Sequence, residues 1–327
     1  MMLTVIIPAY NCANTIEKAI VSTNVFNDEQ ISVIVVNNGS TDDTKEIVKG
    51  LCRNCSRIVY AESHKGVSYA RNKGIKLTNT DYLTFLDADD VYIQNGTKAL
   101  ISNLSCKSDL AVYNYRVNGK IQNLYSLVQS VKNIDEQISL MLDNPTKLLT
   151  VWNKVYSTHI IKENNIYFDT TLTYSEDSEF LIRYLMRSKI IKFFDTTTYR
   201  YNMTSGSAVH SHNAVMIRGY LKAIDRVQRD VKNRVTFSSS LNNFILMQFN
   251  LIMVHAVYAD HIPYSKQIAK MKNIASNKSI RDAIASVKVQ NIVKPRFTPI
   301  ILCKYHLYYI ASIIYKIRVK QNERLID

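Results

Sequence analysis

Carboxylates and amides that close apolar runs are the residues of this sequence best suited to chemistry. "YLTFLDADDVY" (82–92) is an apolar run ending in Asp87, Asp89 and Asp90. Side chains two apart on an extended strand project to the same side, which predicts that Asp87 and Asp89 face one pocket. Two carboxylates at a strand end suit a hard divalent cation, Mg2+ or Mn2+, and equally a solvated acidic loop. "YSEDSEFLIRYL" (174–185) sets Glu176 and Asp177 at the start of a helical pattern. Acids there stabilise a helix N-terminus, and a general base could stand there too. "VIVVNNGSTDDT" (33–44) runs four β-branched residues into Asn37, Asn38 and Gly39, as a strand ending at a ligand or in a turn.

The surrounding pattern supplies elements to hold these residues. "LTVIIPAY" (3–10) reads as a buried parallel strand whose ladder Pro8 ends. "NTIEKAIVS" follows as a helix capped by Asn14, with Ile16, Ala19 and Ile20 on one face. "ISVIVV" (31–36) is the next strand. "STDDTKEIVKGL" is a helix capped by Ser40 or Thr41, with Asp42 and Asp43 in its first turn. "RIVYAE", "GVSYARNKGIKL" and "DYLTFLDADD" continue as strand, helix and strand. Such alternation predicts an α/β sheet that binds ligand at the carboxyl ends of its strands. No G-x-G-x-x-G follows the first strand, so a dinucleotide oxidoreductase has no support.

The ordered series "VIIPAYN" (5–11), "VVNNGSTDDT" (35–44), "GVSYARNKGI" (66–75), "YLTFLDADD" (82–90), "VWNKVYSTHII" (151–161) and "YSEDSEFLIRYL" resembles the inverting family 2 glycosyltransferases. The resemblance covers residues 3–208. It implies the GT-A fold, a Rossmann-like mixed sheet between helices, in a catalytic domain of residues 1–210. It also implies a nucleotide-sugar donor, with a UDP-sugar expected, and a lipid-linked or surface-glycan acceptor of the capsule, exopolysaccharide or lipopolysaccharide type. Pro8, Ala9 and Tyr10 match the loop bordering the base, Arg71 the arginine that contacts the donor, and Asp87 the acid near ribose and metal. Asp89 matches the ligand of Mn2+ or Mg2+, and Asp177 the general base. Trp152 and Glu176 are candidates for acceptor contact, with core packing as the plainer role of a strand aromatic. Many relatives carry at position 38 an Asp that accepts from the uracil imide. The Asn38 amide oxygen can accept that bond and its NH2 can donate to a base acceptor, so uridine and cytidine both stay open. Asn202 and Ser207 align with the diphosphate loop, where relatives often place Arg or His; Arg200 and His210 are neighbours that could substitute. These departures leave a non-catalytic nucleotide-sugar-binding or assembly subunit as the alternative.

The chain has 327 residues and a formal charge of +14. Residues 201–327 hold 19 of its 41 Lys and Arg and 6 of its 27 Asp and Glu, a net +13. Residues 211–327 are expected to form a basic, amphipathic helical region that binds an anionic membrane surface or mediates oligomerisation. The run 298–320 is broken by Lys304, His306, Lys316 and Arg318. It is expected to lie in the interface, with Tyr305, Tyr308, Tyr309 and Tyr315 at headgroup depth, or to pack against the catalytic domain or a sister subunit. No apolar run is expected to reach transmembrane length, and no secretory leader is expected, because Met1-Met2 leads straight into "LTVIIPAY". Five cysteines without framework spacing fit reduced thiols. The expected place is the cytoplasm, at the inner face of the membrane, without nucleic acid, since no DNA- or RNA-binding motif occurs.

Overall fold

The computed structural model describes residues 2–202 and 213–323. The chain forms two compact units, one comprising Met1–Ile138, Thr146–Thr171 and Glu176–Met203, the other Ser139–Pro145, Leu172–Ser175 and Thr204–Asp327.

The first unit is built on a nine-stranded sheet. Its strands are β1 (Leu3–Ala9), β2 (Ile31–Asn37), β3 (Ile58–Glu62), β4 (Tyr82–Phe85), β5 (Val91–Tyr92), β6 (Leu110–Val117), β7 (Lys120–Gln122), β8 (Lys154–Ser157) and β9 (Ile191–Tyr201). They lie in the order β3-β2-β1-β4-β8-β6-β9-β5, with β7 paired to β6. β1 to β4 are mutually parallel, whereas β8 runs antiparallel to both β4 and β6. Helices α1 (Ile16–Ser22), α2 (Thr44–Asn54) and α3 (Val67–Leu77) connect the parallel strands. α4 (Gly96–Asn103), α5 (Ile134–Asp143), α6 (Pro145–Leu148), α7 (Thr158–Glu163) and α8 (Glu176–Leu185) follow. All seven residues of β1 are buried, which is what a strand covered on both faces requires.

Local readings need correction at three points. Pro8 does not end the β1 ladder, which runs on to Ala9 opposite Asn37. The β4 ladder stops at Phe85 opposite Ile6, so the missing N–H of Pro8 faces a side where no partner remains. Asn14 does not cap α1; the helix starts at Ile16, and the Thr15 and Ile16 amides bond the Cys12 carbonyl. α2 starts at Thr44, so Asp42 and Asp43 precede it. Asp42 instead accepts from the Ala13 amide (2.9 Å) and the Thr44 hydroxyl (2.5 Å).

The second unit is helical: α9 (Asn213–Val231), α10 (Ser238–Ile252), a π turn (Met253–Val257), α11 (Tyr264–Ala275), α12 (Lys278–Ser286), α13 (Thr298–Lys304) and α14 (Tyr308–Glu323). The expectation about transmembrane length fails here: Val235–Val257 is long and apolar enough to cross a membrane. Ser, Asn and Gln break its texture without adding charge. Its Phe244, Phe249 and Met253 are wholly buried, so it is the core helix of this unit. Tyr315, expected at headgroup depth, is also wholly buried; it donates to Asn250 Oδ1 at 2.7 Å and stacks on Tyr258.

Candidate active site

The loops after β1 and β2 are tied to each other. Asn11, in the left-handed region at φ 47°, donates its amide to Ser40 Oγ (3.0 Å) and accepts from the Thr41 amide (2.8 Å) through its side chain. Pro8 and Ala9 are buried beneath, while Tyr10 is 44% exposed with Lys65 Nζ 5.1 Å from its ring centroid. The two asparagines divide their work. Asn37 is structural: its amide donates to Tyr60 Oη (3.1 Å) and its oxygen accepts from Ser40 N–H (2.9 Å). Asn38 is buried too, but its Oδ1 has no hydrogen-bond partner among the described residues. A buried acceptor without a donor costs about 1–3 kcal/mol, which a ligand N–H would recover.

Arg71 stands at the centre of the acid cluster. Gly74, one turn later on α3, lets that helix press onto β1, since a Cβ there would sit 2.4 Å from Ile6 Cγ2. Asn72 locks the helix from the other side by a double hydrogen bond to the Phe168 backbone (2.9 and 2.8 Å). Arg71 Nη1 reaches Asp177 at 2.5 Å and Glu176 at 3.3 Å, and Nη2 reaches Asp87 at 3.1 Å. Its side chain is only 5% exposed, whereas that of Asp177 is 24% exposed. One guanidinium therefore faces three carboxylates, leaving a half-buried excess of negative charge. Burial raises the Asp177 carboxyl above the usual range against the pull of Arg71, and burial with the adjacent Asp177 raises Glu176. A carboxylate so placed is a competent proton acceptor near neutral pH.

The acids after β4 do not ride an extended strand. β4 ends at Phe85, and the Asp90 amide bonds the Asp87 carbonyl (3.0 Å), closing a turn. Asp87 goes to Arg71. Asp90 is wholly buried, accepting from Tyr199 Oη (2.7 Å) and the Asn202 amide (2.7 Å), and burial pushes its carboxyl up to about 8. Asn202 also donates its side chain to the Asp89 carbonyl (2.7 Å), so it clamps the turn that presents Asp89. Ser207 and His210 lie outside the described residues.

Interlocked loops at strand ends, an arginine between three acids and a clamped acidic turn together occupy the carboxyl side of the parallel strands. Residues 4–163 match the profile described as "Glycosyl transferase family 2". They form a family 2 glycosyltransferase domain. Over 222 residues the chain is 28% identical to "Glycosyltransferase GlyA" of Streptococcus pneumoniae, covering 63% of this chain and 31% of that protein. It is 24% identical to the glycosyltransferase YibD of Escherichia coli, over 88% of this chain and 89% of the other. Staphylococcus aureus TarS 1–349, solved in complex with UDP-GlcNAc, superposes with a TM-score of 0.69 at 20% identity, covering 99% and 92% of the two chains. The mannosyltransferase PcManGT of Pyrobaculum calidifontis, solved with GDP-Man and Mn2+, has a TM-score of 0.53 at 14% identity, covering 96% and 86%. The fold is GT-A.

Two features of the glycosyltransferase domain escape sequence reading. Lys154 is wholly buried, and among the described residues its amine bonds Asn153 Oδ1 (3.0 Å) and Thr150 Oγ1 (3.3 Å). Burial pulls its amine down to about 7, with Asp177 opposing. It stands in the "VWNK" motif, but a lysine in a strand pattern carries no sign of burial. The Asp90–Tyr199–Asn202 clamp spans over a hundred residues and has no local signature. Trp152 is 8% exposed; its ring stacks on Tyr199 and Tyr201 and meets Tyr115 edge-on. Its faces are engaged in packing, the plainer of the two roles expected for it. Glu176 faces Arg71.

Proposed function

We propose that this glycosyltransferase transfers a sugar, with inversion, from a UDP-sugar to a hydroxyl of a glycan acceptor in surface-polysaccharide assembly. The observation that carries the reading is Asp177, mostly buried at the head of α8 with an edge still open to solvent, raised in pKa and held by Arg71. Asp177 takes the acceptor O–H proton, the oxygen forms its bond to the anomeric carbon, and the bond from that carbon to the donor phosphate breaks, the diphosphate leaving with the electron pair. One displacement inverts the centre, so an α-linked donor gives a β-linked product. Asn38 supports uridine. Its buried, unpartnered Oδ1 is an acceptor that the uracil imide N–H would satisfy, while a ring-nitrogen acceptor would leave it unsatisfied. The exposed Tyr10 ring borders that loop and offers a stacking face.

Among the described residues no three His, Cys, Asp or Glu converge as a self-contained metal site. A single carboxylate completed by substrate phosphates is nevertheless how Mg2+ is often held, so the donor set fits. Asp89 would hold Mn2+ or Mg2+ with the donor; the ion, when bound, neutralises charge on the leaving diphosphate. PcManGT was solved with Mn2+ and TarS with UDP-GlcNAc, which supports both assignments. The test is a panel of UDP- and GDP-sugars with Mn2+, followed by NMR of the product. A UDP-sugar should be turned over with an inverted anomeric centre. A retained configuration, or exclusive use of a GDP-sugar, would overturn the reading.

A further inference from the structure

Helix α14 shows two faces of opposite character. Ala311, Ser312 and Tyr315 are wholly buried within the second unit. The other face exposes Tyr309 (63%), Ile310, Ile313 and Ile317 (50%), with Tyr305 and Leu307 just ahead of the helix. Positions 309, 313 and 317 are one turn apart and form a line. Lys316 and Lys320 are exposed beside them. α11 borders the same line, because its Tyr264 ring meets the Tyr309 ring at 5.7 Å and lies under Lys316 Nζ at 4.1 Å. It adds the exposed Lys272, whose Nζ lies over the Tyr308 ring at 5.5 Å. None of these three lysines forms an ion pair among the described residues.

A stripe of large apolar side chains in water marks an interaction surface. The lysines decide the partner. Protein interfaces deplete lysine at their centres, and two copies of this face would bring Lys316 and Lys320 against like charges. An anionic lipid surface accepts the whole pattern: isoleucines enter the acyl boundary, tyrosine rings rest at headgroup level, and lysine stems lie along the surface with their ammonium groups on phosphates. The net +13 of residues 201–327 has the matching sign.

We propose that the α14–α11 face docks on an anionic membrane leaflet. This stands independently of the donor and base assigned above. It differs from the broader sequence expectation in naming one face and in excluding Tyr315.

The test is flotation of the full chain with vesicles of phosphatidylcholine alone and of phosphatidylcholine with phosphatidylglycerol. Binding is expected only with phosphatidylglycerol, weakening as salt rises. Ile313→Asp/Ile317→Asp should reduce it at least tenfold with circular dichroism unchanged. Both side chains are exposed, so folding does not depend on them. Lys316→Glu/Lys320→Glu, which keeps the apolar stripe, should reduce it by a similar or larger factor, since each basic residue contributes roughly fivefold. Equal binding to neutral vesicles, no binding at low salt, or full binding by the Ile313/Ile317 variant would overturn the proposal. So would a concentration-dependent dimer in sedimentation that this variant dissociates, which would make a second copy the occupant.

Discussion

Replacing Lys154 with methionine removes a charge that folding penalises, and the variant is expected to be more stable than the parent at neutral pH. Lys154 is wholly buried, its amine bonds a hydroxyl and an amide oxygen among the described residues, and burial takes it from 10.5 to about 7. A folded pKa below the unfolded value means that the protonated form is disfavoured by folding. The cost is complete below about pH 7, fades as pH rises, and vanishes above the ordinary amine value. At about 1.4 kcal/mol per pKa unit it amounts to about 4 kcal/mol at neutral pH. Methionine keeps most of the stem volume. The variant loses two hydrogen bonds, together about 1–2 kcal/mol, and Asn153 Oδ1 still accepts from Thr150, so that acceptor is not orphaned. The net gain is therefore roughly 2–3 kcal/mol. Trp152, the only tryptophan, is two residues away and buried, so urea unfolding followed by its fluorescence reports this unit. The gap between variant and parent should be widest at and below about pH 7 and close nearly to zero by about pH 9.5, where by linkage most of the cost has gone. Groups that do not interact with Lys154 are common to both proteins and cancel in the difference; Asp177, whose carboxyl Lys154 pulls down, is raised further in the variant and takes back part of the gain. A variant less stable than the parent at neutral pH, or a gap that does not change with pH, would refute the electrostatic reasoning.

Asp177→Asn should still bind the donor by calorimetry but lose transfer by about 10²–10⁴-fold; undiminished turnover would remove Asp177 as base. Because burial raises the Asp177 carboxyl, the base is lost to protonation as pH falls through that raised value. The acid limb of the rate profile should therefore lie above the range of an ordinary aspartate, and a limb at or below that range would contradict the raised pKa. Asp89→Ala should abolish metal-stimulated turnover with the fold intact by circular dichroism, and full activity of that variant in EDTA would sink the metal role. Asn38→Leu should weaken UDP about 5–150-fold by removing the acceptor, whereas Asn38→Asp should tighten it through a charge-assisted bond. Calorimetry with neither change would take Asn38 out of the base site.

What could be read from the chain in one dimension was local. β-branched runs, Gly and Asn at their ends and helical stripes are set by backbone sterics and by burial on one side or both, so the strand–helix order from β1 to β4 was legible. Arg71, Asp87 and Asp177 could be nominated because ordered motifs carry them, but motifs do not say which of them touch. Their meeting depends on how closely α3 sits on β1, which Gly74 permits, and on α8 arriving over a hundred residues later. Capping was misread at Asn14 and at Ser40 and Thr41, because the loops after β1 and β2 use those polar groups to bind each other or are bypassed by a backbone bond. For Trp152 and Tyr315 the chain offers packing beside acceptor contact and headgroup depth, and does not show what lies opposite them. Trp152 meets tyrosines of β9, and Tyr315 meets Asn250 from a helix 65 residues earlier. The order of elements and the kinds of chemistry available at their ends follow from the local pattern of the chain. The fold alone sets that Asp90 and Lys154 are buried, that Asn38 Oδ1 has no partner among the described residues and that Arg71 joins three acids. Burial and pairing are properties of neighbours brought together from distant parts of the chain, and no local pattern encodes them.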